Sequence, residues 1–184
     1  MKALFSSLRL LAALTLLTGG LYPLAVWSVG RLAFRDRAGG SLIVRDGTVV
    51  GSALLAQKTT DPRYFSPRPS AGDQATVASA ASHLAWTSRK LAAALAERRA
   101  ALGGTADLPA DLLTASGSGL DPDLSPAAVR FLSTRVAAAR KLTPAQQHAL
   151  DGLIARQVEA GQFSPDRINV LRLNLALDSA FPSP

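Results

Sequence analysis

His83 and His148 are the only histidines in the chain, and no cysteine accompanies them. A zinc site of the H-E-x-x-H type needs two histidines one helical turn apart with a glutamate beside the first, and these two lie far apart in the sequence. Neither is accompanied by the G-x-S-x-G elbow that would let a histidine activate a serine. Both are expected as surface or hydrogen-bonded residues, with no metal site. The lack of Cys also excludes disulfides, thiolate nucleophiles and Cys-ligated zinc or iron–sulfur clusters.

Phosphate chemistry has one weak candidate. Ser116-Gly117-Ser118-Gly119 offers small residues whose amides could approach a phosphate, but the Gly-Lys-Ser/Thr ending of a P-loop is missing. The alternative is a connection that feeds the following helix. Asp121 and Asp123 form the densest acidic pair; they flank Pro122 just ahead of a helix start, where carboxylates serve turns and complement the helix dipole. Arg68, before Pro69-Ser70, either binds an anion or locks its loop through hydrogen bonds to carbonyls, and the locking role is favoured.

Charge narrows the partners. The formal charge is +7, but Lys and Arg are interspersed with Asp and Glu, and only six Phe, two Trp and two Tyr are available for base stacking, so no nucleic-acid partner is expected. All thirteen acidic residues and all twenty basic ones except Lys2 and Arg9 lie beyond residue 30, which leaves that part at +5.

The elements that must hold these residues begin with a hydrophobic segment. No charge occurs between Arg9 and Arg31, and Leu10 to Gly30 as a helix would span roughly 31 Å, about the hydrocarbon thickness of a bilayer. Tyr22 and Trp27 lie in its second half, and Arg31, Arg35 and Arg37 follow where lipid headgroups would be. A cleaved signal peptide is the rival reading. Thr18-Gly19-Gly20-Leu21-Tyr22-Pro23 offers no clear A-x-A site, however, and apolar character continues through Val29. Gly19, Gly20 and Pro23 are costly in an isolated helix; in lipid they permit close approach of a neighbouring helix, or a kink whose freed carbonyls that neighbour satisfies, which makes them the candidate subunit interface, the alternative being a tolerated local irregularity. Basic residues flank the segment on both sides, so charge does not set its direction.

Beyond the linker 31–40, Ser41 to Gly51 places β-branched residues on both sides of Asp46-Gly47, which predicts a hairpin. Gln57 to Pro69, with three prolines, predicts an ordered loop. A helix is expected over about Ser88–Leu102 and a short strand or turn over Pro109–Ala115. Ser125-Pro126 and Thr143-Pro144 read as N-cap and first-turn pairs of helices reaching about Arg140 and Ala160. Ile168 to Leu177 alternates well enough to predict a strand. The fold class expected is α+β: one transmembrane helix at 10–30 and one mixed helix/sheet domain at 41–178, followed by a flexible 179–184.

The order of the motifs carries more than any one of them. Thr18-Gly19-Gly20-Leu21-Tyr22-Pro23-Leu24, Gly39-Gly40-Ser41-Leu42-Ile43, Gly51 to Gln57, Tyr64-Phe65 with Arg68-Pro69-Ser70-Ala71, Leu113 to Pro122, Leu124 to Ala128, Arg135 to Arg140, and Asn169 to Asp178 together resemble the C subunit of the Kdp-type potassium-transporting ATPase. The likeness runs over essentially the whole chain. It departs at Ser79-Ala80-Ala81-Ser82-His83, where the family commonly has Ser-Gly-Gly-Ser-Asn, at Leu132-Ser133-Thr134 in place of Gln-Ile-Pro, and at Arg172 in place of Glu.

The resemblance implies an accessory, non-catalytic subunit of an ATP-driven, high-affinity potassium uptake pump in the bacterial inner membrane, in contact with membrane lipid. Its partners would be a channel-like subunit that carries potassium selectivity and a P-type ATPase subunit that carries the phosphorylated Asp. The Asp-Lys-Thr-Gly-Thr motif of the latter does not occur in this sequence. Residues 1–9 would lie in the cytoplasm and the domain outside. No cofactor would be held firmly, with ATP the one candidate ligand through a family role in assisting ATP binding by the pump subunit.

Overall fold

The charge-free N-terminal run folds into helix α1 (Lys2–Leu16), a π-helical turn (Leu17–Leu21) and helix α2 (Tyr22–Ala33), which form one helix of 32 residues. The computed structural model describes residues 1–77, 79–104 and 107–182. Two compact units make it up, Met1–Ile43 and Val44–Pro184. In the first, Phe34 leaves helical geometry at φ −132° and ψ 48°, and one further turn, α3 (Arg35–Ala38), occupies the stretch expected as linker.

The predicted hairpin is present as β1 (Leu42–Arg45) and β2 (Thr48–Ser52), a two-stranded sheet. Its turn residues Asp46 and Gly47 have φ of 51° and 76°, the pair of positive values that a type I′ turn requires and that Gly adopts without strain. Helix α4 (Arg89–Ala101) matches its expected place closely and buries no residue. Over Pro109–Ala115 the structure replaces the expected strand or turn with a single helical turn, α5 (Ala110–Leu113), which sinks Leu112 and Leu113 inward.

The core is built on helices α6 (Pro126–Ala139), α7 (Pro144–Arg156) and α8 (Val170–Ala180). Ser125 caps α6 by accepting from the Ala128 amide at 3.2 Å. Thr143 and Gln146 form a reciprocal capping box on α7, which satisfies two of the amide donors that a helix start leaves open. Buried Val129, Leu132 and Val136 line one stripe of α6, and Leu150, Leu153 and Ile154 one stripe of α7. Helix α7 stops at Arg156, short of Ala160, because the chain beyond turns extended: the amides and carbonyls of Glu159 and Arg167 pair with each other at 2.8 and 3.1 Å.

The C-terminal segment corrects the expected strand. Only Ile168–Asn169 is extended, as β4, and pairs antiparallel with β3 (Asp123–Leu124) in the register Asp123↔Asn169 and Leu124↔Ile168. From Val170 the chain is helical. The apolar residues that satisfied an alternating pattern also satisfy i, i+3, i+7, and Val170, Leu173 and Leu177 are the ones buried. Asn169 decides the matter locally: its side-chain oxygen accepts from the Arg172 amide at 3.1 Å and caps the helix. Helix α8 continues two residues into the segment expected to be flexible, of which Ser183 and Pro184 lie outside the described residues.

The proline-bearing loop is ordered by side chains of α8. Phe65, wholly buried, donates its amide to Asn174 Oδ1 and accepts from Asn174 Nδ2 on its carbonyl, both at 2.9 Å. Such a two-way bond replaces a strand partner for this residue. Truncating Phe65 to Ala should lower stability by about 3–5 kcal/mol and Leu173→Ala by about 2–5 kcal/mol. The Arg172→Ala change on the exposed face should cost far less. Denaturant unfolding of the full chain in detergent measures this order, and equal effects at 172 and 173 would contradict the helical register.

Candidate functional site

A helix in lipid must satisfy its polar groups internally. The hydroxyls of Ser7, Thr18 and Ser28 do so by donating to the carbonyls four residues earlier, Ala3, Leu14 and Leu24, at 2.9, 2.7 and 2.8 Å. The π turn holds both Gly19 and Gly20 and ends just before Pro23. Pro23 has no amide to offer the carbonyl four residues back. The wider register, with Tyr22 N–H donating to the Leu17 carbonyl, changes the ladder at the point where that bond is lost. The sequence placed the irregularity here but not its form.

No residue of α1, the π turn or α2 is buried. A Cβ built on Gly19 meets nothing within 4 Å, and one on Gly20 meets only Leu16 Cδ1 at 3.7 Å. The glycines are therefore not needed for packing within the chain, and a side chain added there would project from an open helical face.

In the second unit the best-formed polar centre is Arg140, whose side chain is only 3% exposed. Its Nε donates to the Arg63 carbonyl at 2.8 Å, Nη1 to the Phe181 carbonyl at 2.9 Å and Nη2 to Asp178 Oδ1 at 2.6 Å. The guanidinium carbon lies 4.8 Å from the Tyr64 ring centroid. Asp178 also accepts from the Tyr64 hydroxyl at 3.1 Å and pairs with Arg45 at 3.5 Å. Sequence reading had Tyr64, Arg140 and Asp178 in its motifs without linking them; they are too far apart in the chain for any local spacing to signal the contact.

Arg68 does lock its loop, through side chains instead of carbonyls: Nη1 donates to Asp121 Oδ2 at 3.0 Å and Nη2 to Thr114 Oγ1 at 3.2 Å. Asp121 Oδ1 in turn accepts from the Asp123 amide at 3.1 Å, the turn chemistry expected of this pair. Asp123 accepts from Asn169 Nδ2 at 3.2 Å and pairs with Arg167 at 3.4 Å. Burial pushes the Asp123 carboxyl above its ordinary value of 3.8, against the pull of the Asn169 bond.

The Ser116–Gly119 loop turns its donors inward. The Ser116 amide donates to the Pro69 carbonyl at 2.9 Å, the Gly119 amide to Ser116 Oγ at 3.1 Å and the Leu120 amide to Ser118 Oγ at 3.1 Å. Gly119 has φ 73°, and a Cβ there would lie 2.7 Å from the Ala80 carbonyl oxygen, so the position admits only glycine without a shift. The Gly119 and Leu120 amides are committed to the turn and the Ser116 amide to the proline-bearing loop. His83 and His148 are both exposed and are not brought together with the acidic pair. Among the described residues no group of three or more His, Cys, Asp or Glu is placed to hold a metal.

One helix long and apolar enough to cross a membrane, followed by an α+β domain, is the build of a single-pass membrane protein. The family model for the c chain of K+-transporting ATPases, KdpC, matches residues 4–179. The chain belongs to this family. It is 46% identical over 189 residues to the potassium-transporting ATPase KdpC subunit of Rhodospirillum rubrum, with 99% of this chain and 98% of that one covered. The KdpC subunit of Cereibacter sphaeroides is 47% identical over 185 residues, covering 98% of each chain, and that of Leptospira interrogans 46% over 179 residues, covering 95% and 93%.

Arg140 generates a stability prediction. Arg140→Ala leaves a cavity and three acceptors without their donor, and should cost about 3–5 kcal/mol. Arg140→Lys keeps the charge but cannot reach all three acceptors from one planar fork, and should recover only part of that. Thermal unfolding of the full chain compares the two; full recovery with Lys would show that charge alone matters at this position.

Proposed function

We propose that this chain is an accessory, non-catalytic subunit of an ATP-driven potassium uptake pump, anchored by Lys2–Ala33 with its N-terminus in the cytoplasm and its domain on the outer face of a bacterial inner membrane. The match of the family model to residues 4–179, which takes in both the anchor and the domain, carries this reading. Its partners are the channel-like subunit and the P-type ATPase subunit. The anchor packs against transporter helices along the face of Gly19, Gly20 and Pro23, and the domain docks over the channel-like subunit. What supports the first contact is a face that the chain itself leaves open, with small residues where another helix could come close.

In this role the subunit acts by binding one arrangement of the pump better than another, which shifts populations without breaking any bond itself. Help with ATP binding by the pump subunit belongs to the same reading. It would be exerted through the assembly, since the Ser116–Gly119 amides that donate within their own turn favour a structural part for that loop.

The test is extraction in mild detergent and recovery on a C-terminal tag. The two partner subunits and potassium-dependent ATPase activity should elute together; recovery of this chain alone beside an intact transporter would overturn the proposal. Replacing Gly19 and Gly20 by Ile should lower partner recovery several-fold. Because nothing within the chain obstructs a side chain at Gly19, that loss would report on the interface and not on folding. Unchanged recovery would remove both glycines from it.

A further inference from the structure

A groove of about 320 Å³ opens between the proline-bearing loop, α4 and α5, away from the Arg140 centre. Three cations line it, Lys58, Arg68 and Arg98, together with the apolar side chains of Leu102, Leu112 and Leu132. No carboxylate is among its lining residues.

The two guanidiniums are anchored on consecutive residues. Arg98 Nη1 donates to the Leu113 carbonyl at 2.7 Å and Arg68 Nη2 to the Thr114 hydroxyl at 3.2 Å. Like charges that line one groove repel unless anions balance them. Asp121 answers Arg68 and Asp73 answers Lys58, while the hydrogen bond drawn for Arg98 goes to a neutral carbonyl. Arg68 has one guanidinium donor that is not bonded. Its Nε is buried and has no hydrogen-bond partner, the only such side-chain atom among the described residues.

From these observations we propose that the groove binds a small soluble organic oxyanion, a phosphate monoester or carboxylate whose head is held by Arg98 and Arg68 and whose apolar body lies against Leu102, Leu112 and Leu132. The volume is at the lower end of small-molecule sites and suits a body about the size of one ring. Guanidinium forks match such heads in geometry as well as charge. The leucines that line the groove favour an oxyanion with an apolar body over a bare ion. The site does not depend on the proposed pump assembly.

Phenyl phosphate and inorganic phosphate serve as probes, titrated into the full chain in nanodiscs of zwitterionic lipid and followed by calorimetry and by the arginine Nε–H resonances. Phenyl phosphate should bind saturably, more tightly than inorganic phosphate, and should move the Arg98 Nε–H signal. Arg98→Gln, which removes the charge, should weaken binding about tenfold, the effect of losing one charge-assisted bond. Ala101→Trp, at an exposed position on the rim, should block the groove without altering any charge. No saturable binding, or affinity unchanged in both variants that still unfold at the wild-type temperature, would overturn the site.

Discussion

A buried guanidinium cannot be left with empty donors, and the domain is arranged around meeting that demand at Arg140. To do so the chain brings the Arg63 carbonyl and Tyr64 ring from the proline-bearing loop, Asp178 from α8 and the Phe181 carbonyl from the chain's end to the last turn of α6. The loop has no secondary structure of its own to fix it. Its position follows from Arg140 on one side and the two-way bond of Phe65 with Asn174 on the other. With the loop fixed, Phe65 fills the core and Arg68 and Pro69 are presented to the Ser116–Pro122 turn. Desolvating one charge thus organises three segments that share no sequence proximity.

Much of the scaffold could be read from the residues because its signals are local. Asp46-Gly47, Ser125-Pro126 and Thr143-Pro144 each fix backbone geometry within four residues, and each lies where expected. The C-terminal segment misled because Val170, Leu173 and Leu177 fit either period, and the deciding contact is a cap by Asn169 that also pairs as a strand residue. The turn at Ala110–Leu113 is too short to show a period. The ion pairs of Arg140 with Asp178 and of Arg68 with Asp121 join residues distant in sequence, and no spacing rule reaches that far. Family membership was legible in the order of motifs along the whole chain, and the comparisons show it.

The two units differ in what they leave open. The domain bonds the Ser116, Gly119 and Leu120 amides of its glycine-rich turn internally. The anchor buries no side chain and carries its one irregularity where two glycines precede a proline. In water that would be a defect; in a bilayer an open small-residue face is what a second helix packs on. The proposed role in a pump therefore places specific recognition in the membrane as well as outside it.

The most direct test of this account is a photocrosslinking scan in intact membranes, with a benzoylphenylalanine placed in turn at residues 17 to 24 of the anchor. The account predicts crosslinks to a partner subunit of the pump that recur with helical period and peak at positions flanking the glycine face, while benzoylphenylalanine at 19 or 20 itself weakens the association. Crosslinks to lipid alone, uniform around the helix, would contradict it.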